Sequence, residues 1–115
     1  MTFDATAFRR AFEGGDVDAL GGMVADNVEW RVVDRKTPPA SPMVVSGRES
    51  LQAALRDVHG RGLTMRLEDE ILAGDRAAFA CRCRYPDGRE VLSNILLSMQ
   101  EGRITRVSEV QAWDE

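Results

Sequence analysis

The second half of the chain alternates apolar and polar residues over four consecutive stretches, a pattern typical of β-strands with one buried face. The junctions hold Gly74-Asp75, Pro86-Asp87-Gly88 and Glu101-Gly102, which adopt turn conformations at low steric cost. Because no other element separates the stretches, they predict an antiparallel meander that forms one twisted sheet. The predicted strands cover residues 63–72, 76–85, 89–99 and 103–113.

The first half of the chain contains three segments of helical period, which would cover one face of that sheet. The first helix is predicted over residues 4–13, where Phe8 and Phe12 lie in one apolar stripe, and Gly14-Gly15 ends it. A second helix follows a capping Asp16. It should be short, because two internal glycines weaken it.

Between the second helix and the meander, the pattern predicts a strand, a loop, a short strand and a third helix. Residues 28–33 form a β-branched run, and the prolines of residues 34–42 require a loop. Residues 43–45 predict a short strand. The spacing of Ser46-Gly47-Arg48-Glu49 is that of a capping box, which predicts a helix that begins there and ends at Gly60.

This order of elements predicts an α+β domain: a cone-shaped, curved antiparallel sheet packed by three helices from the N-terminal half. The sheet would contain the four-strand meander and one or two N-terminal strands. We expect a single domain over residues 1–115, a length that can bury a sufficient core. A curved sheet closed on one side by helices leaves a hollow, which is the natural site for a small molecule.

Charge and hydropathy argue against two classes of partner. The formal net charge is −4, whereas a nucleic-acid-binding surface needs clustered positive charge. No apolar run approaches the length of a membrane span, and the N-terminus lacks the pattern of a signal peptide. We therefore expect no nucleic acid and no membrane partner, and a cytoplasmic location.

Cys81 and Cys83 stand two residues apart on one predicted strand, so both side chains face the same side of the sheet. This placement disfavours a disulfide and favours packed thiols over a metal or redox pair. His59 is the only histidine, so a typical metal site lacks ligands. We expect neither a metal nor an organic cofactor.

Alternation alone leaves open which face of the strand at 76–85 points inward. The set that runs from Phe79 to Tyr85 and includes both cysteines is the more apolar, so we place it inside. The next strand is apolar on both faces, with Leu92 and Leu96 on the outside. A strand of that kind is covered on both faces, which predicts a homodimer through the outer face of the sheet.

Four short motifs occur along the chain: Gly15 to Leu20, Ala25 to Trp30, Gly47 to Leu51 and Gly102 to Ile104. Their order and spacing resemble the nuclear transport factor 2-like superfamily, and within it the SnoaL-like branch with ketosteroid isomerase, limonene epoxide hydrolase and polyketide cyclases. The resemblance implies a cone-shaped domain, back-to-back dimers and a small apolar ligand handled without a cofactor. The motifs define a fold, and this fold hosts many activities.

The resemblance also places the catalytic positions of two relatives on this chain. The tyrosine, base and acid of ketosteroid isomerases fall on Phe8, Val32 and Ile95 or its neighbour Asn94, so steroid-type isomerisation by that set is not supported. The last-strand aspartate of epoxide hydrolases falls on Glu109, which keeps the carboxylate. Their arginine and aspartate pair is only half matched, because the second meander strand offers arginines alone.

Glu109 is therefore the candidate catalytic residue, a general acid or base on the inward-facing side of the last strand. The alternative is a rim glutamate that pairs with Arg106 or Arg82. The expected ligand-binding residues are mainly apolar side chains of the sheet and the first helix. They are Phe8, Phe12, Trp30, Val32, Phe79, Tyr85, Ile95, Leu97, Gln111 and Trp113.

Two functions remain open from the sequence. In the first, the domain binds a small apolar molecule, and Glu109 supports isomerase, cyclase or epoxide-hydrolase chemistry without a cofactor. In the second, the domain is a non-catalytic carrier or a dimeric interaction module whose hollow is filled by its own side chains. The retained carboxylate favours the first, and the missing catalytic partners favour the second.

Overall fold

The computed structural model describes residues 2–115, in which three helices pack against a curved six-stranded sheet. The four meander strands lie within one residue of their predicted ends, and the strand predicted from residue 28 begins at Val24. None of the described helices has both the length and the apolar character needed to cross a membrane. The elements are α1 (Ala5–Gly14), α2 (Val17–Gly21), β1 (Val24–Val33), β2 (Met43–Ser46), α3 (Arg48–His59), β3 (Thr64–Ala73), β4 (Arg76–Arg84), β5 (Glu90–Gln100) and β6 (Arg103–Trp113).

The strands are ordered β2-β1-β6-β5-β4-β3, and neighbours are antiparallel except for β1 and β6, which run parallel. This parallel pair is the one departure from the predicted antiparallel sheet. It arises because the meander starts at the far edge and its fourth strand returns beside β1 in the same direction. Trp30 pairs with Val107 and Val32 pairs with Glu109, so the two strands bring Trp30 and Glu109 together on one face.

The helix ends follow the predicted glycines and the predicted cap Asp16, with one correction at α3. The carboxylates of Asp4 and Asp16 each accept a hydrogen bond from a backbone N–H three residues on. The capping box predicted from Ser46 is wrong, because Ser46 belongs to the β1–β2 ladder. The N-cap of α3 is Gly47 at φ +90°, a conformation that favours glycine, and no side chain caps this end.

α1 covers part of the inner face of the sheet with aromatic side chains. The ring centroid of Phe8 lies 5.6 Å from that of Phe12 and 5.5 Å from that of Phe79. Ile95 and Leu97 of β5 belong to the same buried core. Each of these side chains contributes roughly 1.5–3 kcal/mol by burial, so this part of the inner face is filled by the protein itself.

The two faces of the meander follow the predicted alternation. Phe79, Cys81 and Cys83 are buried on β4. On β5, the side chains of Leu92 and Leu96 remain 41% and 47% exposed on the outer face. The outer face therefore carries large apolar side chains that residues 2–115 do not cover.

His59, the last residue of α3, packs behind α1. The centroid of its ring lies 6.4 Å from that of Phe12, and a Cβ at Gly15 would come within 3.0 Å of its Nδ1 atom. Its Nε2 atom is buried without a hydrogen-bond partner in the described part of the chain. Burial lowers the pKa of His59, because the imidazolium would lose its hydration.

We predict that the stability of the protein falls below about pH 6.5 and that His59 causes part of this fall. The unfolded chain binds a proton at His59 as the pH drops through about 6.5, whereas the lowered pKa keeps the folded imidazole neutral, so the stability is fully present only above that pH. Urea unfolding at about pH 7.5, 6.5 and 5.5 should show a steeper decline for the wild type than for His59→Gln. Equal pH dependence of the two proteins would contradict this account.

Candidate ligand-binding cavity

A cavity of about 260 Å³ opens between α3, the loop after β1 and the inner face of the sheet. The apolar stripe of α3 forms one wall through Leu51, Ala54, Leu55 and Val58. Its volume exceeds the roughly 150 Å³ of an apolar cavity that holds one benzene, and it lies below the roughly 300–1,000 Å³ of sites for drug-sized ligands. A molecule of one or two rings therefore suits the cavity.

The structure divides the predicted site residues into two groups. Glu109 lines the cavity, as do five of the predicted ligand-binding residues: Trp30, Val32, Tyr85, Gln111 and Trp113. The other five lie in the core and do not line it: Phe8, Phe12, Phe79, Ile95 and Leu97. The physical reason is that α1 fills its part of the inner face, whereas α3 spans the rest and leaves a space.

Several lining residues were not among the predicted ligand-binding residues. The α3 wall was missed, although its stripe of apolar residues was a usable signal, because a helix that covers a concave sheet must line any hollow beneath it. Cys81 and Cys83 were assigned to the core, and both also face the cavity. Ser93 supplies a hydroxyl that is buried in the cavity wall, which no sequence pattern marked.

Glu109 is half-buried in the cavity wall and accepts two of three linked side-chain hydrogen bonds. Trp30 Nε1 donates to Glu109 Oε1 over 2.9 Å, and Gln111 Nε2 donates to Glu109 Oε2 over 2.7 Å. Trp113 Nε1 donates to Gln111 Oε1 over 2.8 Å. We call these four residues the Glu109 network.

The direction of every hydrogen bond in the Glu109 network is set by its two indoles, because an indole N–H can only donate. Trp113 requires the oxygen of Gln111, which leaves the amide nitrogen of Gln111 facing Glu109. Trp30 supplies the second donor. Both carboxylate oxygens of Glu109 therefore act as acceptors. The network presents two acceptor oxygens, the arrangement that a base or a counterion requires.

The ion pair expected for a rim glutamate is not found. Arg82 lies 3.6 Å from Glu68 and 3.4 Å from Glu90, and it pairs with those two carboxylates instead. Within residues 2–115, Glu109 forms no salt bridge, either with Arg82 or with Arg106. The partners of the carboxylate in the described chain are neutral groups.

The free thiols of Cys81 and Cys83 face the cavity, with their Sγ atoms 3.8 Å apart. The hydrogen bond with Cys83 and burial raise the pKa of the Cys81 thiol, and the negative charge of Glu109 acts in the same direction. Cys81 is therefore a neutral thiol near neutral pH. No group of three or more His, Cys, Asp or Glu side chains in the described residues is placed to hold a metal ion.

Aromatic and charged side chains surround the mouth of the cavity. The ring centroids of Tyr85 and Trp113 are 5.7 Å apart, and the guanidinium of Arg35 lies 4.6 Å from the centroid of the Trp113 ring. The hydroxyl of Tyr85 accepts a hydrogen bond of 3.3 Å from Arg61. Asp34 also lines the mouth. Although burial opposes the shift, hydrogen bonds from the following backbone N–H groups lower the pKa of Asp34.

We predict that Gln111→Leu destabilises the fold by about 1 kcal/mol, because it leaves the Trp113 N–H and one Glu109 oxygen without their partner. Urea unfolding measures the change. The matched control is Gln100→Leu, the same substitution at an exposed position of β5, which should change the stability by less than about 0.5 kcal/mol. Equal stability of the two variants would show that the network contributes nothing to the fold.

Solved structures of other proteins show the same fold at low sequence identity. An NTF2-like protein of unknown function from Mesorhizobium loti is 22% identical, with a TM-score of 0.79 over 97% of this chain and 99% of that one. A candidate ketosteroid isomerase from Kribbella flavida is 17% identical, with a TM-score of 0.77 over 96% and 75% of the two chains. The candidate polyketide cyclase IdmH from Streptomyces antibioticus is 21% identical, with a TM-score of 0.70 over 92% and 87%.

These likenesses establish the fold alone, since one fold hosts unrelated activities. No curated protein is a significant match to the sequence. The family model of the SnoaL-like domain matches residues 5–107, which contain all three helices and end two residues before Glu109. On that match, the chain belongs to the SnoaL-like domain family.

Proposed function

We propose that the domain binds a small, mainly apolar molecule in the cavity and that Glu109 acts on it as a general base. The observation that carries this proposal is the Glu109 network, which holds a carboxyl group with both oxygens as acceptors in the wall of an otherwise mainly apolar cavity. A base must lie within hydrogen-bond reach of the proton that it removes. A ligand of one or two rings that fills the cavity meets this condition.

The register of β1 and β6 supports a base at this position. The base of ketosteroid isomerases corresponds to Val32 by the resemblance described above, and Val32 is the residue paired with Glu109 on the neighbouring strand. The carboxylate of this chain therefore reaches the same region from β6 instead of β1. Two solved structures with this fold, a candidate ketosteroid isomerase and a candidate polyketide cyclase, support the same class of chemistry.

The proposed step needs no cofactor. Glu109 takes a proton from an acidic C–H bond, and the electron pair of that bond stays on the substrate as an enolate or its equivalent. Return of the proton to another carbon completes an isomerisation. In a cyclisation the carbanion attacks a carbonyl of the same molecule, and the oxygen of that carbonyl takes the proton back from Glu109. The hydroxyl of Ser93 and the thiol of Cys81 line the same cavity and can serve as weak donors for the developing charge.

A second candidate function is a non-catalytic carrier. The observation that favours it is that both carboxylate oxygens of Glu109 already accept hydrogen bonds from the protein. In a carrier, the same network would orient a bound ligand without removing a proton. The two functions share the cavity and differ only in proton transfer, so a proton-exchange measurement separates them.

We predict that small ketones and terpenoids stabilise the protein in a thermal-shift screen, whereas four-ring steroids, which exceed the cavity, do not.

Ligands that bind are then incubated in D₂O and followed by NMR. The wild type should incorporate deuterium next to the carbonyl, and Glu109→Gln should be slower by about 10²-fold or more. The control Glu101→Gln, in the exposed turn between β5 and β6, should match the wild type. Binding without exchange would support the carrier and contradict the base.

We also propose that the domain forms a homodimer through the outer face of the sheet, where Leu92, Leu96 and Val110 are exposed. Leu96→Lys should shift sedimentation at micromolar concentration from dimer to monomer, because a buried lysine would lack a partner. Leu72→Lys, at the end of the edge strand β3 and 53% exposed, is the control and should leave the dimer intact. A wild-type protein that sediments only as a monomer would contradict the proposal.

A further inference from the structure

The Glu109 network offers the carboxylate hydrogen bonds but no positive charge. Glu109 is half-buried, and at such a site an opposite charge attracts a carboxylate more strongly than in bulk water. Trp30 and Gln111 supply hydrogen bonds but no charge, and within residues 2–115 no cation lies within salt-bridge distance of Glu109. The missing counterion is therefore to be sought in what the cavity binds.

The other charged groups of the cavity wall do not reverse this balance. Asp34 adds a second carboxylate, and its lowered pKa keeps it ionised. Arg61 is the one cation of the wall in the described chain, and its guanidinium already donates to Asp57 over 2.7 Å and to Tyr85. The cavity wall therefore carries more acidic than basic side chains, which favours a positively charged ligand over a negatively charged one.

The aromatic residues at the mouth favour the same kind of ligand. Cations are attracted to the faces of Trp and Tyr rings. Trp113 already holds the guanidinium of Arg35 at 4.6 Å from its ring centroid, which shows that a cation is accommodated at this mouth. Tyr85 lies beside it, with its ring centroid 5.7 Å from that of Trp113.

We infer that the ligand of this cavity is a small organic cation: an apolar amine of one or two rings, protonated at neutral pH, whose nitrogen pairs with Glu109. The inference rests on the proposed function, since it names the ligand class of the same cavity. Toward such an amine Glu109 acts as a counterion, because the N–H protons of an ammonium group are far more acidic than its C–H protons. An apolar carboxylic acid is the opposing candidate, since Arg35 and Arg61 stand at the mouth.

A charge series on one skeleton tests the inference. The probes are 1-naphthylmethylamine, 1-naphthylmethanol, 1-methylnaphthalene and 1-naphthoate, together with the corresponding one-ring series from benzylamine to benzoate. Isothermal titration at pH 7 should show the amine binding about tenfold or more tightly than the alcohol, because its hydrogen bond to Glu109 is charge-assisted. The hydrocarbon should rank next after the alcohol in affinity, and the carboxylate should bind most weakly.

Glu109→Gln should remove the advantage of the amine while the hydrocarbon still binds, which also shows that the variant is folded. Glu101→Gln makes the same change of charge on the surface and should bind the series as the wild type does. As a second readout, the indole N–H signal of Trp30 should shift when the amine is added, because Trp30 donates to the same carboxylate. If the Glu109 variant does not fold, the order of affinities in the wild type decides alone.

The possible failures are distinguishable. Wild-type protein that binds the carboxylate as tightly as the amine, or that binds the hydrocarbon without preferring the amine, overturns the inference and leaves the proposed binding of small apolar molecules intact. If no member of either series binds, the proposed function fails, and the inference fails with it.

Discussion

The parallel pairing of β1 with β6 is the constraint on which the rest of the structure depends. It joins the first long strand to the last, so that an indole donor and a carboxylate 79 residues apart in sequence meet on the inner face. A shift of one residue in this register would turn Glu109 to the outer face. β1 is also paired with β2, and β6 is also paired with β5. The position of the carboxylate is therefore held by the whole sheet.

The inner face of the sheet serves two purposes, and the helices divide it between them. α1 fills its share with aromatic side chains that exclude water and stabilise the fold. α3 spans the other share with smaller side chains and leaves the cavity. A polar network can exist there because both indole N–H groups and both oxygens of Glu109 have hydrogen-bond partners, whereas a half-satisfied network would cost more than an apolar wall. Stability and binding are thus located in adjacent parts of one concave surface.

The elements of this fold could be predicted from the sequence because they depend on local periodicity and turn chemistry. The division between cavity and core could not, since Phe79 and Trp30 are both aromatic residues of predicted strands, and only the packing shows that Phe8 of α1 contacts Phe79 whereas Trp30 lines the cavity. The capping box failed for a related reason: Ser46 is held by a strand pairing that the local spacing does not reveal. The hydrogen bond from Trp30 to Glu109 could not be predicted from the sequence, because the β1–β6 register joins distant segments of the chain.

Placing the carboxylate on β6 instead of β1 also limits the chemistry of the cavity. By the family resemblance, two further catalytic positions of ketosteroid isomerases fall on Phe8 and on Ile95 or its neighbour Asn94. Phe8 and Ile95 lie in the core, Asn94 is exposed, and none of the three lines the cavity. An enolate formed at Glu109 would therefore lack the two donors of that set, although donors at a developing oxyanion are usually the largest contribution to such reactions. A cationic ligand that pairs with Glu109 through its nitrogen develops no oxyanion and needs no such donors. The arrangement that leaves Glu109 without a counterion thus suits the binding of a cation.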